Sequence, residues 1–453
     1  MHFELTKTYL DNLVNILDQE DADAAKNLID DLHAVDIADL YDELNIEQAK
    51  FLFFQISDGE KAADVIAELD DDDRERFLKA IPSEVIANKF IHFMDSDDAA
   101  DVMADLSVKK QTEVLENVLD MNRAGNILDL LAFDEDSAGG LMGKEYVSVN
   151  WNSGINDAIS VIRTKAEEVD EVFYVYVVDD DNVLKGALSL KKLLLSAKDK
   201  IIKDIMTVNL VMIPAEMHAA EVSNIADKYD LVALPVVDIK KRLLGRITID
   251  DIVDFLREEA DKDYQMISGI SDDVEASDSV WKLTKARLPW LLIGLLGGIM
   301  GAQVIGLYEV DLQEHAAMAF FIPLIAAMGG NVGVQSSSIV VQAIAKNTQR
   351  METTFKKITK ELSVALLNGL ICSAIVFSYN LLFSDSMALT LTVSIALLSV
   401  ILLASIFGTF VPLLLDKYKI DPALATGPFI TTANDIIGLL IYLAIGGVMF
   451  AII

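Results

Sequence analysis

PALATGPFITTANDIIGLLIYLAIGGVMFAII, residues 422–453, is a run of apolar and small side chains broken by a single charge, Asp435. At about 1.5 Å per residue the run exceeds the roughly 30 Å of a bilayer's hydrocarbon core, so it reads as a membrane-spanning helix. An aspartate near the middle of such a helix costs about 2.5–3.5 kcal/mol on insertion scales, and residues of this kind mark ion or proton paths that face a protein interior or a watery cavity. The alternative is an aspartate paired with a neighbouring helix for packing alone. Against it, no Lys or Arg lies in any other apolar run to act as partner.

Working outward, uncharged runs at Ser386 to Leu415, Leu362 to Ser384, Ala316 to Ala345 and Pro289 to Tyr308 also reach spanning length, which predicts five membrane helices. Lys282, Lys285 and Arg287 before the first, Lys346, Arg350, Lys356, Lys357 and Lys360 between the second and third, and Lys417 and Lys419 between the fourth and fifth all fall on one side. The opposite loops carry Glu309, Asp311, Glu314 and Asp385 and no Lys or Arg. The positive-inside rule then predicts a multi-pass protein of the cell (inner or plasma) membrane, with cytosolic N-terminal domains and the C-terminus outside.

Of 71 acidic and 37 basic residues, only nine and seven lie from Pro289 onward, which leaves a balance of −32 on the first 288 residues. Acidity of that density repels itself, and counter-ions or divalent metal relieve it; a solvated acidic surface with no ligand is the plain alternative. Nucleic acid is an unsuitable partner. The start, Met1-His2-Phe3-Glu4, lacks the basic and apolar pattern of a signal peptide. The single Cys372 excludes an intrachain disulfide and reads as a small packing residue.

Five parts are expected: a helical acidic domain at 1–131, two α/β modules at 132–198 and 199–262, a connecting helix and linker at 263–288, and the membrane domain at 289–453. In the first, apolar residues recur at helical spacing, and Ala62-Ala63-Asp64-Val65-Ile66-Ala67-Glu68-Leu69 returns as Ala99-Ala100-Asp101-Val102-Met103-Ala104-Asp105-Leu106, with a looser copy at Ile37-Ala38-Asp39-Leu40. Spacings of 25 and 37 residues suggest an irregular helical superhelix. Asp58, Asp95 and Ser96 are N-cap candidates.

After about Ala132 the period changes. Phe173 to Val178, the turn Asp179-Asp180-Asp181-Asn182 and Val183 to Ser189 recur fifty-nine residues later as Val232 to Asp238, a charged turn and Arg242 to Asp250. This tandem repeat resembles a pair of CBS domains, which implies a regulatory unit and the ability to bind adenosine nucleotides such as ATP. Thr248-Ile249-Asp250 fits a hydroxyl and carboxylate holding a ribose; the same residues equally suit a helix cap. The first copy has Ser189-Leu190-Lys191 and lacks the carboxylate, and Tyr174 completes the nucleotide candidates. Ala138 to Glu145 does not form a Walker motif, so ATP-driven pumping is unsupported.

The order of parts, with Ser137-Ala138-Gly139-Gly140-Leu141-Met142, Pro323 followed by Gly329-Gly330-Asn331-Val332-Gly333 and Gln335-Ser336, Asp421-Pro422-Ala423-Leu424, and Asn434-Asp435-Ile436-Ile437-Gly438, resembles the MgtE family of magnesium transporters and channels over essentially the whole chain. The resemblance implies a homodimer rather than an enzyme, with a pore near the shared axis. Asp435 would be its key ligand, with Gly330, Asn331, Thr431, Asn434, Gly438 and Gly427 along the ion pathway. It also implies closure when cytosolic Mg²⁺ neutralises carboxylates at Asp64, Asp97, Asp101, Asp227, Asp230, Asp251, Asp254, Glu258, Glu259, Asp263 and Asp421, with Gly140 among the sensing positions. Val334 and Gly427 stand where members carry Asn, which bears on preference for Mg²⁺ over Co²⁺, Ni²⁺ or Mn²⁺. His218 and Ala220 stand where members place acids.

On the residues themselves, Mg²⁺ suits a pore offering one carboxylate and backbone oxygens, because it sheds water reluctantly. Gly329, Gly330 and Gly333 would let the backbone approach or unwind at membrane depth, whereas Gly294, Gly297, Gly298 and Gly301 suit close helix packing. Ser336, Ser337 and Ser338 are expected to bond back within their helix rather than to bind ions. An anion channel is disfavoured by the negative buried charge, and a metalloprotease by five scattered histidines. A cation sensor that does not transport is the remaining rival.

Overall fold

The computed structural model describes residues 5–165, 169, 172–197, 199–271, 274, 278–345, 354–425 and 427–453. Met1 to Glu4, Lys346, Arg350 and part of the expected linker at 272–277 lie outside the described residues. The chain forms two compact units, Met1–Leu256 and Arg257–Ile453.

In the first unit the described residues from Lys7 to Leu130 are helical and turn structure without strands. The sequence repeat is structural: α1 (Gly59–Ala67) buries Ala62, Ala63, Val65 and Ile66, and α2 (Ser96–Ala104) buries Ala99, Ala100, Val102 and Met103 at matching positions. Asp58 caps α1 by accepting from the Glu60 N–H, as its residue type predicts. Phe53, Phe77 and Phe90 pack edge-on or tilted at the centre of this core, which removes three large rings from water.

The two α/β modules share one topology. Strand β1 (Val147–Asn150) pairs parallel with β2 (Val175–Val178), which pairs antiparallel with β3 (Leu184–Leu188); β4 (Ile213–Pro214), β5 (Ala233–Val237) and β6 (Leu243–Thr248) repeat the arrangement. Each copy has a bulge at the equivalent place, Val177/Val178 and Val236/Val237, so the fifty-nine-residue spacing survives in three dimensions. Ser137 to Gly143 threads along the second sheet: the Ala138 and Gly139 N–H groups donate to Met217 and Ala215, and Gly143 exchanges backbone bonds with Arg246. That explains the small residues there, because a Cβ at Gly139 would lie 2.3 Å from the Phe133 ring.

Helix α3 (Ile249–Ile267) corrects the expected boundary at Lys262. Nothing in its sequence breaks the helix until Gly269, at φ +81, so the second module's last helix and the expected connecting helix are one element up to Ile267.

Five helices among the described residues are long and apolar enough to cross a membrane. They are α4 (Val280–Leu307), α5 (Ile322–Ala345), α6 (Thr354–Phe383), α7 (Met387–Lys417) and α8 (Pro428–Ile452). The first begins nine residues before Pro289, which sits inside α4 rather than opening it; a membrane helix tolerates this where neighbours re-satisfy the freed carbonyl. Helix α7 is the central element, burying Thr392, Val393, Ala396, Leu397, Val400 and Ile401 against its neighbours.

Candidate functional site

In the first unit, carboxylates converge where α2 meets the α/β modules. Asp95 stands at the N-cap of α2 without a side-chain cap bond, and one carboxylate oxygen each from Asp95, Asp97 and Glu145 lie within 4.8 Å of one another. Ser96, only 1 % exposed, donates to Glu145 Oε2 at 2.7 Å and accepts from the Lys144 N–H at 2.8 Å, which ties α2 to the lead-in of the first module. Gly143 makes room for this approach, since a Cβ there would lie 2.8 Å from Asp97 Oδ2. Ser96, expected as a cap, is therefore a tether, and Asp95 a member of the cluster.

The electrostatics follow from crowding. Burial, then Asp98, Asp251, Glu145 and Asp95, push the Asp97 carboxyl well above its ordinary range. Asp98, solvent-accessible as a residue, is pushed up to about 7 by desolvation first and then by Asp95, Asp101, Asp251 and Asp64. Burial also raises Asp251, although the Thr248 N–H and hydroxyl both donate to its Oδ2, at 2.7 and 2.8 Å, and pull the other way. One turn further along α3, Asp254 faces a second group: Glu68 is raised by desolvation, then by Asp254, Asp64 and Asp39. Hard oxygen donors held together against their mutual repulsion are the ligand chemistry of a divalent cation such as Mg²⁺.

Of the sequence-expected positions, Asp64, Asp97, Asp101, Asp251 and Asp254 thus interact with one another or with shared neighbours. Asp95, Asp98, Glu145, Glu68 and Asp39 were missed as site residues; only their proximity to other carboxylates in the fold distinguishes them from the many other acids. Asp227 and Asp230 are exposed, and Asp230, at φ +51, is the left-handed cap of helix Ala219–Tyr229. His218 has a structural task of its own as N-cap, accepting from the Ala220 N–H. Gly140 closes a turn against the Asp134 and Glu135 carbonyls, where a Cβ would lie 2.5 and 2.8 Å from the two oxygens. The Thr248 hydroxyl donates to Asp251 Oδ2; Asp250 is exposed and Tyr174 packs beside the buried Tyr176 cluster.

In the second unit, the C-terminal half of α3 meets the approach to α8. Asp263 is pushed up to about 6, by desolvation first, then by Asp421 and Glu259, whereas Glu258 is exposed. Gly427 has φ +57, and a Cβ there would lie 2.3 Å from the Ile267 carbonyl oxygen; a Cβ at Gly269 would lie 2.7 Å from Pro428 Cγ. The end of α3 is thus seated on the start of α8, and glycine at 427 is required by both conformation and space.

Deeper in the membrane domain, α5 is an unbroken helix through Gly329, Gly330 and Gly333, so these glycines serve approach and not unwinding. A Cβ at Gly330 would lie 3.0 Å from Thr431 Cγ2 and 3.6 Å from Asp435 Oδ1, and one at Gly333 would lie 2.0 Å from Asn434 Nδ2. Asp435 is half-buried, and among the described residues no hydrogen bond or ion pair occupies its carboxylate. Asn434 is buried at 2 % exposure, Thr431 bonds back to the Gly427 carbonyl at 2.9 Å, and Gly438 packs on Val400. Asn331 and Gln335, one turn apart on α5, are exposed within the chain, a polar stripe at membrane depth that the sequence reading did not single out as a stripe. Gly297 and Gly301 do pack against α8, but a Cβ at Gly294 or Gly298 would meet nothing within 4 Å. The packing expectation is corrected there: within the chain these two positions border open space.

A carboxylate in the last membrane helix beside three glycines, and in the first unit a crowd of cation-ligand oxygens, together define a protein that handles divalent cations at a membrane. Residues 322–445 match the model of the MgtE divalent cation transporter family, residues 32–136 the MgtE intracellular N domain and residues 202–258 the CBS domain. The magnesium transporter MgtE of Enterococcus faecalis is 34% identical over 319 residues, 70% of each chain. That of Bacillus subtilis is 29% identical over 421 residues, 93% of this chain and 92% of the relative. A crystal structure of the cytosolic domain of the Mg²⁺ channel MgtE in complex with ATP is similar at 28% identity and TM-score 0.51, over 54% of this chain and 99% of that one. The chain belongs to the MgtE family, whose members are magnesium transporters and not enzymes.

Proposed function

We propose that the protein is a Mg²⁺-selective, channel-like transporter that admits the cation passively and that cytosolic Mg²⁺ closes. The observation that carries this reading is the carboxylate crowd of Asp95, Asp97, Asp98, Glu145 and Asp251, whose members are held in an arrangement that repulsion opposes and a divalent cation favours. Glu259, Asp263 and Asp421 offer a second such site where α3 is seated on α8. Asp227, Asp230 and Glu258, exposed in one chain, complete the sensing set.

Uptake needs no motor. A divalent ion entering an inside-negative cell gains about 4.6 kcal/mol per 100 mV, twice the value for one charge. Asp435 is the ligand along the path, with Gly330, Asn331, Thr431, Asn434, Gly438 and Gly427 around it. The exposed Asn331 and Gln335 stripe favours a homodimer in the plasma membrane in which a second copy or pore water covers α5. The N-terminal domains are cytosolic and the C-terminus outside, a reading that the placement of the basic loops supports. Val334 and Gly427 lack side-chain amides, so Co²⁺, Ni²⁺ and Mn²⁺ pass to some degree. The CBS pair binds ATP with Tyr174 and Asp250 at its edge; the ATP complex of the similar cytosolic domain supports this.

Patch-clamp recording tests the gate: raising internal free Mg²⁺ from micromolar to about ten millimolar is expected to silence the channel by stabilising the closed state. An open probability that ignores internal Mg²⁺ contradicts the reading.

A further inference from the structure

Within one turn, residues 333–336, α5 crosses three other membrane helices. Gly333 receives Asn434 of α8 on one side; on another, a Cβ at Gly408 of α7 would lie 2.5 Å from the Gly333 carbonyl oxygen and 3.1 Å from Ser336 Cβ. Ser336 is buried at 2 % exposure. Ser337 bonds back to the Val334 carbonyl at 3.0 Å, as a membrane serine is expected to do, but the Ser336 hydroxyl leaves its helix. It donates to Glu361 Oε1 of α6 at 2.7 Å and lies 3.4 Å from Ser405 Oγ of α7, itself 1 % exposed.

Glu361 lies inside the spanning stretch Ile358–Phe383, and the conduction path makes no use of it. An ionisable side chain in such a stretch is costly and takes an interior partner; here the partner is a hydroxyl on the helix that approaches Asp435. Apolar contacts resist separation of helices but not small rotations, whereas a short hydrogen bond to a charged acceptor is directional and about twice as strong as a neutral one. We propose that Glu361 is a positioning residue for conduction: through Ser336 it fixes the rotation of α5 and so holds Gly330 and Gly333 against Thr431, Asn434 and Asp435.

This rests on α5 and α8 forming the ion path, which an Asp435→Ala variant checks separately. The experiment is Mg²⁺ uptake into liposomes carrying the full-length protein, read as maximal rate and half-saturating Mg²⁺. Ser336→Ala and Glu361→Ala are each expected to lower the maximal rate about tenfold while half-saturation moves less than about twofold, and the double variant to be no slower than either single one. Glu361→Gln keeps an acceptor oxygen at the same reach and is expected to retain at least about half the parental rate. Parental uptake by Ser336→Ala overturns the inference, as does Glu361→Gln matching the slow alanine variant with a raised half-saturation, since the charge would then be touching the cation. If Glu361→Ala fails to fold, Ser336→Ala and Glu361→Gln decide alone. Inactive Asp435→Ala beside parental Ser336→Ala refutes only the positioning role; parental Asp435→Ala refutes the ion path itself.

Discussion

Replacing Gly427 with alanine would force a side chain into φ +57 and place its Cβ 2.3 Å from the Ile267 carbonyl. The backbone cost alone is about 1–2 kcal/mol, and the overlap adds to it. The seat of α3 on α8 should therefore loosen, and Gly427→Ala is expected to pass residual current at millimolar internal Mg²⁺ where the parent is silent. Identical closure of the two in patch-clamp recording would show that this contact has no part in gating. Asp435 was legible because one charge in a long apolar run stands out. Glu361 was not, because Lys356, Lys357 and Lys360 beside it give the same stretch the look of a membrane-edge loop, and only the fold brings Ser336 to it.

At the level of elements, α2 and α3 face each other with acids on both. Asp98 near 7, Asp97 well above its ordinary value and Asp251 raised mean that the folded form binds protons the unfolded chain, titrating near 3.8, has already released. Stability therefore falls as pH rises from the unfolded toward the folded values, the reverse of a salt-bridged carboxylate. In chelator, the thermal midpoint of the detergent-solubilised protein should be higher near pH 6 than near pH 8. Millimolar Mg²⁺ should raise the pH 8 value and flatten the difference, because metal takes the place of protons. A midpoint that rises with pH in chelator would refute the cluster's electrostatics. The helices and the doubled β-β-α pattern were readable from period and spacing. The run of α3 past Lys262 and the open space at Gly294 and Gly298, beside the packed Gly297 and Gly301, were not, since boundaries and contacts depend on what each helix packs against.

For the whole molecule, a polar stripe at Asn331 and Gln335 that one chain leaves uncovered at membrane depth is expected to be satisfied by a second copy or by pore water. Light scattering on the solubilised protein should return the mass of two 49.7 kDa chains; a monomer that transports at the parental rate would rule out a shared pore. By itself the sequence determined what composition and periodicity encode: which segments are apolar enough to leave water, that the lysines cluster in alternate loops, that a small α/β unit occurs twice, and that one carboxylate stands alone in the last helix. Each of these is a property of a contiguous segment and its solvent. Tertiary structure alone decided which acids, far apart in the chain, share one space, that Ser96 ties two domains together, and that Ser336 bonds to Glu361. Those depend on distances that chain folding sets, and repulsion and desolvation act through distance and not through order along the chain.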